Sequence, residues 1–304
     1  MKTKIFSLSL LTIVALLLSA CGGRQSPTAG DKLPVLATTS IVADVVRQVG
    51  GDYVQVTTLL PLGTDPHTFE PRPQDAAAIA DATLVFANGA GLEEFLQPLL
   101  ESAGATDKLV EVSQGIELLP FEGEEHHHEA GDPHTWMDPN NVMVWTENIA
   151  VALSTADPAH AEAYRAHAAA YQEQLRALDE WIRQQVAPIP VEQRLFVSDH
   201  ATWGYFAEEY GFRQVGTITG SFSTGASSSA QELAALEDEI RSFGVRVILV
   251  GTDVNTNLAE QIAQDTGARI VRVYHGSLTP ADGPAATYLD FMRYNVTAIV
   301  DALK

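Results

Sequence analysis

Short apolar runs alternate with amphipathic stretches along most of the chain. Runs rich in Val, Ile and Leu predict strands at 34–38, 54–60, 83–87, 108–112, 194–198, 212–217, 245–250 and 269–273. Helical spacing predicts helices at 41–49, 73–80, 92–102, 202–210, 230–243, 258–266 and 285–303. This alternation favours parallel sheets covered by helices on both faces. Because it occurs in two blocks, we predict an α/β protein with two Rossmann-like parallel-sheet lobes.

The segment between the two blocks predicts one long helix over residues 158–186. Asp157 and Pro158 form a good helix start, with Asp as the N-cap and Pro in the first turn. Apolar residues then recur at three- and four-residue spacing, and the next Pro is Pro188. Such a helix would be about 43 Å long. A coiled-coil dimer is the alternative, but the small Ala positions favour packing along the same chain, and we expect a monomer.

The N-terminus predicts export and lipid attachment. Lys2 and Lys4 precede an apolar stretch, 5–18, which has the length of a secretory signal and is short for a membrane span. It runs into residues 18–21 (LSAC), which resemble a bacterial lipobox with Cys21 as the lipidated residue. The alternative is a plain signal peptide with an incidental cysteine. We therefore expect an extracytoplasmic protein, lipid-anchored to the cell membrane.

These patterns predict five segments. They are a lipoprotein signal peptide at 1–20, a flexible tether at 21–33, an N-terminal α/β lobe at 34–156, the linking long helix at 157–187 and a C-terminal α/β lobe at 188–304. The tether is assigned from its Gly, Gln, Ser, Pro and Thr content. Cys21 is the single cysteine, so no disulfide can stabilise the lobes.

The overall charge argues against nucleic acid as a partner. There are 18 Lys and Arg residues against 39 Asp and Glu, giving a net charge of −21. Such a surface repels nucleic acid and anionic lipid and concentrates cations nearby. Solubility is the simpler reason for most of this charge.

Three distant histidines, each beside an aspartate in a turn-like setting, are the main candidates for chemistry. They are His67 in GTDPHTFEP (63–71), His134 in DPHTWMDP (132–139) and His200 in SDH (198–200). Imidazole is the commonest side-chain metal ligand, and Pro places the following residue in a loop or at a helix start. Each could be a surface histidine when taken singly. Taken together, they predict one shared site for a divalent metal ion.

These motifs resemble the solute-binding lipoproteins of bacterial ABC transporters for zinc and manganese. The resemblance covers essentially the whole chain and also includes DHATWGYFAEEYGF (199–212) and TYLDFMRYN (287–295). It implies two α/β lobes bridged by a long helix, with the metal in the cleft between the lobes. It also implies that His67, His134 and His200 are ligands, and that the partners are a membrane permease and its ATPase.

The sequence departs from the family at the fourth ligand. The family commonly places an acidic residue in a segment that here reads YHGSL (274–278), with Gly276 at the expected position. His275, water or another carboxylate such as Asp253 are the candidates, and we include His275 in the predicted metal site. Nitrogen ligands suit Zn²⁺, whereas Mn²⁺ prefers more oxygen. We therefore expect Zn²⁺, with Mn²⁺ or Fe²⁺ as the alternative.

A second His-rich segment precedes His134. Residues 122–129 (EGEEHHHE) contain His126, His127 and His128 among acidic residues, a composition that commonly binds metals. A solvated loop without a role is the alternative. We expect an accessory metal loop outside the main site.

A zinc-dependent hydrolase is the rival class. Three histidines with an open fourth position could activate water. The sequence contains neither a His-Glu-x-x-His helix nor a Gly-x-Ser-x-Gly nucleophile motif. We therefore expect a binding protein rather than an enzyme.

Overall fold

The computed structural model describes residues 32–120, 131–219, 228–252 and 254–304. By its contacts the chain divides into residues 1–32 and a larger unit, 33–304, which contains the strands and helices of the described residues.

The first half of this unit forms a parallel sheet with the strand order β2-β1-β3-β4. Its strands are β1 (Leu33–Ala37), β2 (Val54–Thr58), β3 (Leu84–Ala87) and β4 (Leu109–Glu111). Its helices are α1 (Ser40–Gly50), α2 (Pro73–Asp81) and α3 (Leu96–Ala103).

The second half repeats this order as β6-β5-β7-β8, again with parallel neighbours. Its strands are β5 (Leu195–Ser198), β6 (Arg213–Thr217), β7 (Val247–Gly251) and β8 (Arg269–Val273). Its helices are α6 (Gly204–Tyr210), α7 (Ala230–Phe243), α8 (Asn257–Thr266) and α9 (Tyr288–Leu303). The predicted α/β fold with two parallel-sheet lobes is confirmed.

Two helices lie between the sheets in the sequence, α4 (Pro139–Ala156) and α5 (Ala161–Val186). They pack against each other, and α5 also contacts α1 and α9. One face of α5 is buried at the predicted spacing, by Tyr164, Ala168, Tyr171, Leu175, Leu178, Ile182 and Val186. Pro158–His160 forms a 3-10 turn, so the α-helix begins three residues later than predicted.

The core is shared between the two halves. One apolar cluster contains Val35 of β1 and Phe196 of β5 together with residues of α1, α4, α5 and α9. On its opposite face, each sheet packs against a separate apolar cluster. Leu36 of β1 belongs to the cluster of the first sheet, and Val197 of β5 belongs to the cluster of the second. Alternate residues of β1 and β5 thus enter different clusters, because side chains along a strand point to opposite faces.

Among the α-helices of the described residues, α4 is the one that the sequence does not predict. It begins with Asp138 as the N-cap, whose side chain accepts the backbone N–H of Asn140, followed by Pro139. This is the same start signal that predicted α5. Several boundaries also differ by a few residues; α9 begins at Tyr288 because the Thr287 side chain caps it by accepting the N–H of Asp290.

Candidate metal centre

The predicted histidines lie in loops fixed by their own aspartates. The backbone N–H of each histidine donates to a nearby carboxylate: His67 to Asp65 at 3.0 Å, His134 to Asp132 at 2.9 Å and His200 to Asp199 at 2.8 Å. Such bonds hold short turns without help from regular structure. They explain why an aspartate accompanies each histidine.

Strand ends bring these loops together. His200 follows β5, His275 follows β8, and His67 lies in the loop between β2 and α2. His134 immediately precedes the 3-10 turn Thr135–Met137. Ligands of open α/β sheets bind at the carboxyl ends of parallel strands, which is where the loops of His67, His200 and His275 leave the sheets.

The three imidazoles converge on one point. The Nε2 atoms of His67 and His134 are 3.1 Å apart. One ligand nitrogen from each of His67, His134 and His200 lies within 4.8 Å of the other two. Two nitrogens bound tetrahedrally to zinc at 2.0–2.1 Å would be separated by roughly 3.3 Å. The spacing therefore matches the separation of two ligands on a single ion.

Carboxylates contact the Nδ1 side of two of the rings, away from the converging nitrogens. Asp132 Oδ1 lies 2.8 Å from Nδ1 of His134, and Asp199 Oδ1 lies 3.1 Å from Nδ1 of His200. A carboxylate on Nδ1 fixes the tautomer that leaves Nε2 available to a metal. Both aspartates are buried, at 4% and 7% exposure, so they act on the rings and not on solvent.

The pKa values of the Asp132 and Asp199 carboxyl groups are shifted in opposite directions. Burial raises the pKa of Asp132 to about 7, and the hydrogen bond from the N–H of His134 opposes this only in part. Burial would also raise the pKa of Asp199, but the charge of His275 and the contacts with His200 hold it well below its usual range. Asp199 is therefore the carboxylate that stays ionised beside the three rings.

His275 belongs to a neighbouring group. Its Nε2 lies 3.2 Å from Asp199 Oδ2, and its ring centre is 4.6 Å from that of His200. Among the described residues, His275 shares close ligand spacing with Asp199 and His200, whereas His67 and His134 share it with His200. Trp136 holds the loop by donating its indole N–H to the backbone oxygen of His275 at 2.7 Å. His200 is common to both groups.

The histidines open onto a cavity of about 260 Å³. Gly63, Asp65, Thr202, Val254, Asn255 and Gly276 also line it. A Cβ atom built on Gly276 would have Pro66 Cδ, 3.8 Å away, as its nearest neighbour. The position where the family commonly has an acidic residue therefore has room for a side chain.

Gly204 and Tyr205 support the His134 loop, and the sequence does not predict this role for either residue. The hydroxyl of Tyr205 donates to the backbone oxygen of Asp132 at 2.7 Å. A Cβ atom on Gly204 would lie 2.6 Å from Asp132 Oδ2, closer than side chains approach. Both residues belong to α6 in the second half of the chain, and only the fold brings them to Asp132.

Some predicted residues lie outside the described ranges. These are Cys21, the accessory-loop residues His126, His127 and His128, and Asp253. Within the described ranges, no helix combines the length and apolar character required to cross a bilayer.

Comparison with known proteins identifies relatives along the full chain. It is 35% identical over 306 residues to the manganese-binding lipoprotein MntA of Halalkalibacterium halodurans, covering 100% of this chain and 99% of that one. It is 32% identical over 296 residues to the iron-binding protein YfeA of Yersinia pestis, covering 96% and 94%. Among solved structures, the manganese-bound periplasmic metal-binding protein of Candidatus Liberibacter asiaticus superimposes with a TM-score of 0.79 at 31% identity, covering 90% and 100%.

The profile of the family described as "ZnuA: Zinc-uptake complex component A periplasmic" matches residues 35–302. This match spans both sheets, α4, α5 and the four histidines described above. The chain therefore belongs to the ZnuA family, the metal-binding substrate-binding proteins of ABC transporters.

Proposed function

We propose that this protein captures one Zn²⁺ ion through His67, His134 and His200 and delivers it to the permease of an ABC transporter. One observation carries the proposal: three imidazoles from distant loops converge, with Nε2 of His67 and His134 3.1 Å apart. A cation placed between them would be within reach of coordinate bonds from both nitrogens. The strongly acidic chain, at −21, adds an attraction for cations.

The ligand set supports zinc as the cargo. Three neutral nitrogens suit Zn²⁺, which favours four tetrahedral N or S ligands. The nearby carboxylates of Asp132 and Asp199 already contact ring nitrogens, so they orient ligands and balance charge. Gly276, which also lines the cavity, contributes no side-chain oxygen.

Manganese is the second candidate, and the relatives support it. MntA of Halalkalibacterium halodurans is named as manganese-binding, and YfeA of Yersinia pestis is named as iron-binding. An oxygen-preferring ion would need Asp199 or solvent as further ligands. The choice between Zn²⁺ and Mn²⁺ is therefore set by how many oxygens join the three nitrogens.

His275 and the N-terminal segments complete the proposal. We assign His275 the role of holding Asp199, from the 3.2 Å contact, with direct coordination as the alternative. Residues 1–20 would be removed and Cys21 lipidated, so that the tether at 21–33 anchors the lobes (34–156 and 188–304) and the linking segment (157–187) outside the membrane. The loop with His126, His127 and His128 would bind metal weakly.

The test is metal content and competition on the purified chain from residue 22 onwards. We expect one tightly bound ion per chain, retained as Zn²⁺ when Zn²⁺ and Mn²⁺ compete in dialysis. Tighter retention of Mn²⁺ would replace zinc with the second candidate. A chain that retains neither ion would refute the site itself.

A matched control distinguishes the site from histidines in general. His160 also pairs its Nδ1 with an aspartate, Asp157 Oδ2, at 2.6 Å, but it lies at the start of α5. His160→Ala should keep full metal content, whereas His134→Ala should lose it. Equal loss in both variants would show that binding does not depend on the proposed ligands.

A further inference from the structure

Asn88 joins the first sheet to the loop that carries His134. It directly follows β3, and its side-chain Nδ2 donates to the backbone oxygen of Gly89 at 2.8 Å and to that of Pro133 at 2.9 Å. Pro133 immediately precedes His134 and lies 45 residues beyond Asn88 in the sequence. A buried side chain at the end of a strand thus holds the main chain beside a proposed ligand.

Packing does not account for an asparagine at this position. The exposure of Asn88 is 0%, and among the described residues its Oδ1 has no hydrogen-bond partner. A buried acceptor without a partner destabilises a fold, and such atoms are rare in proteins. The benefit of Asn88 therefore lies in the two hydrogen bonds that its Nδ2 donates.

A buried carboxyl group fixes Asn88 in turn. Oε1 of Glu93 accepts the backbone N–H of Asn88 at 2.8 Å and the hydroxyl of Thr38 at 2.6 Å. Oε2 of Glu93 accepts the N–H of Gly89 at 3.1 Å. Between these contacts, Ala90 is the one non-glycine residue with a positive φ, 54°, among the described residues. Such a strained conformation persists only where surrounding contacts impose it, and here the bonds to Glu93 do so.

The first sheet also holds the other side of His134. The hydroxyl groups of Ser113 and Thr135 are 2.8 Å apart and buried, and the backbone N–H of Ser113 donates to the oxygen of Asn88 at 3.1 Å. Asn88 therefore holds the residue before His134, and Ser113 holds the residue after it. These contacts set where the loop lies on the first sheet, whereas Asp132 orients the ring.

We infer that Asn88 is a positioning residue of the proposed metal site, with Glu93 as the group that fixes it. This inference rests on the proposed function. Asn88 places the main chain of His134 so that its imidazole meets those of His67 and His200. Its effect on metal binding passes through His134, which makes the inference testable.

The first test compares Asn88→Ala with Asn148→Ala. Asn148 of α4 is a matched control, because its Nδ2 also bridges two backbone oxygens, those of Val112 at 2.8 Å and Gln114 at 2.9 Å, outside the 132–135 segment. In Asn88→Ala we expect Zn²⁺ affinity, measured against a competing chelator, to fall about tenfold, at the low end of the range for lost outer-shell partners. In Asn148→Ala it should stay within about twofold of the parent, the usual limit of additivity between independent sites. Equal loss in both variants would overturn the inference.

Combined substitutions test whether the effect passes through His134. In a His134→Ala background, Asn88→Ala should change the remaining Zn²⁺ affinity by less than about twofold, because the ligand that it positions is gone. In a His67→Ala background, it should still lower the affinity about tenfold. The same loss in both backgrounds would indicate a general weakening of the fold and would overturn the inference.

Glu93→Gln provides an independent variant if Asn88→Ala does not fold. Glutamine keeps the shape of the side chain but replaces one acceptor oxygen with an NH₂ donor. It should lower Zn²⁺ affinity in the same His134-dependent way, with circular dichroism showing that the chain is folded. Parent-like affinity in either folded variant would contradict the assigned role.

Failure of the proposed function gives a different result. In that case the parent protein binds no Zn²⁺, or His134→Ala binds it as tightly as the parent does. With tight binding that depends on His134, the Asn88 and Glu93 variants judge the further inference alone.

Discussion

Gly204→Ala should weaken metal binding without unfolding the protein. The new Cβ atom would lie 2.6 Å from Asp132 Oδ2. An ordinary contact needs about 3.4 Å or more, so the two atoms must separate by about 0.8 Å. The carboxylate is the end of a flexible side chain and moves more easily than the start of α6. Gly204 has no left-handed backbone angle, so alanine is tolerated there.

The displacement acts on His134. Asp132 Oδ1 lies 2.8 Å from Nδ1 of His134, and a shift of about 0.8 Å would take this contact beyond hydrogen-bonding distance. The ring would then lose the partner that sets its tautomer. Losses of this kind cost about 10–100-fold in metal affinity, or about 1.4–2.8 kcal/mol.

Isothermal titration with Zn²⁺, with a competing chelator, measures this change. Gly276→Ala is the matched control, because its Cβ atom would meet only Pro66 Cδ at 3.8 Å. Circular dichroism and melting curves of both variants should stay near those of the parent. An unchanged affinity in Gly204→Ala would refute the claim that Asp132 orients His134.

Four further predictions follow from the same geometry. Replacing any one of His67, His134 or His200 by Ala should weaken Zn²⁺ binding about 100-fold or more in calorimetry, since a ligand is lost outright; parent-like affinity in all three would exclude the site. Gly276→Asp should improve retention of Mn²⁺ relative to Zn²⁺ by about tenfold, because it adds an oxygen ligand; competition dialysis would contradict this if the ratio stayed constant. Burial raises the pKa of Asp138 to about 6, so its charge destabilises the fold above pH 6 and this penalty disappears as the pH falls towards 4. Asp138→Asn should therefore be more stable than the parent at pH 7.5, by up to about 3 kcal/mol, and equal to it near pH 4, as measured by urea unfolding. Saturating Zn²⁺ at about 1,000 times the dissociation constant should raise the free energy of unfolding by about 4 kcal/mol. Small-angle scattering should show little change in radius of gyration. An unchanged melting temperature would contradict an ion bound between the two halves.

The fold could be predicted because the central strands of each sheet are nearly continuous apolar runs. β1 and β7 are buried on both faces, so their Val, Ile and Leu residues stand out without reference to any partner. Asp138 and Pro139 mark the start of α4 as clearly as Asp157 and Pro158 mark the turn before α5. Because Asp138 and Pro139 also belong to the motif that contains His134, that motif predicts a metal loop and conceals the helix start.

The site could be predicted only as a set of histidines. Asp65, Asp132 and Asp199 are visible in the sequence because each lies within two residues of its histidine. The contact between Gly204 and Asp132 joins residues 72 positions apart, and that between His275 and Asp199 joins residues 76 apart. No periodicity or local spacing encodes such contacts, because they arise only when loops that are distant in the sequence meet in the folded chain.

The core shared by the two halves explains how the ligands are held before metal arrives. α5 packs on α1 from the first half and on α9 from the second, and one apolar cluster includes residues of both sheets. A wide hinge movement would expose Tyr164, Tyr171 and Leu178, which are all buried against this cluster. Fully exposing one such side chain costs about 1.5–3 kcal/mol. The shared core therefore opposes a wide opening of the two halves. His67 is only partly buried, whereas His134, His200 and His275 are buried. Uptake and release of the ion should thus depend mainly on the loop around His67, while the core and the Trp136 contact keep the other three histidines in place.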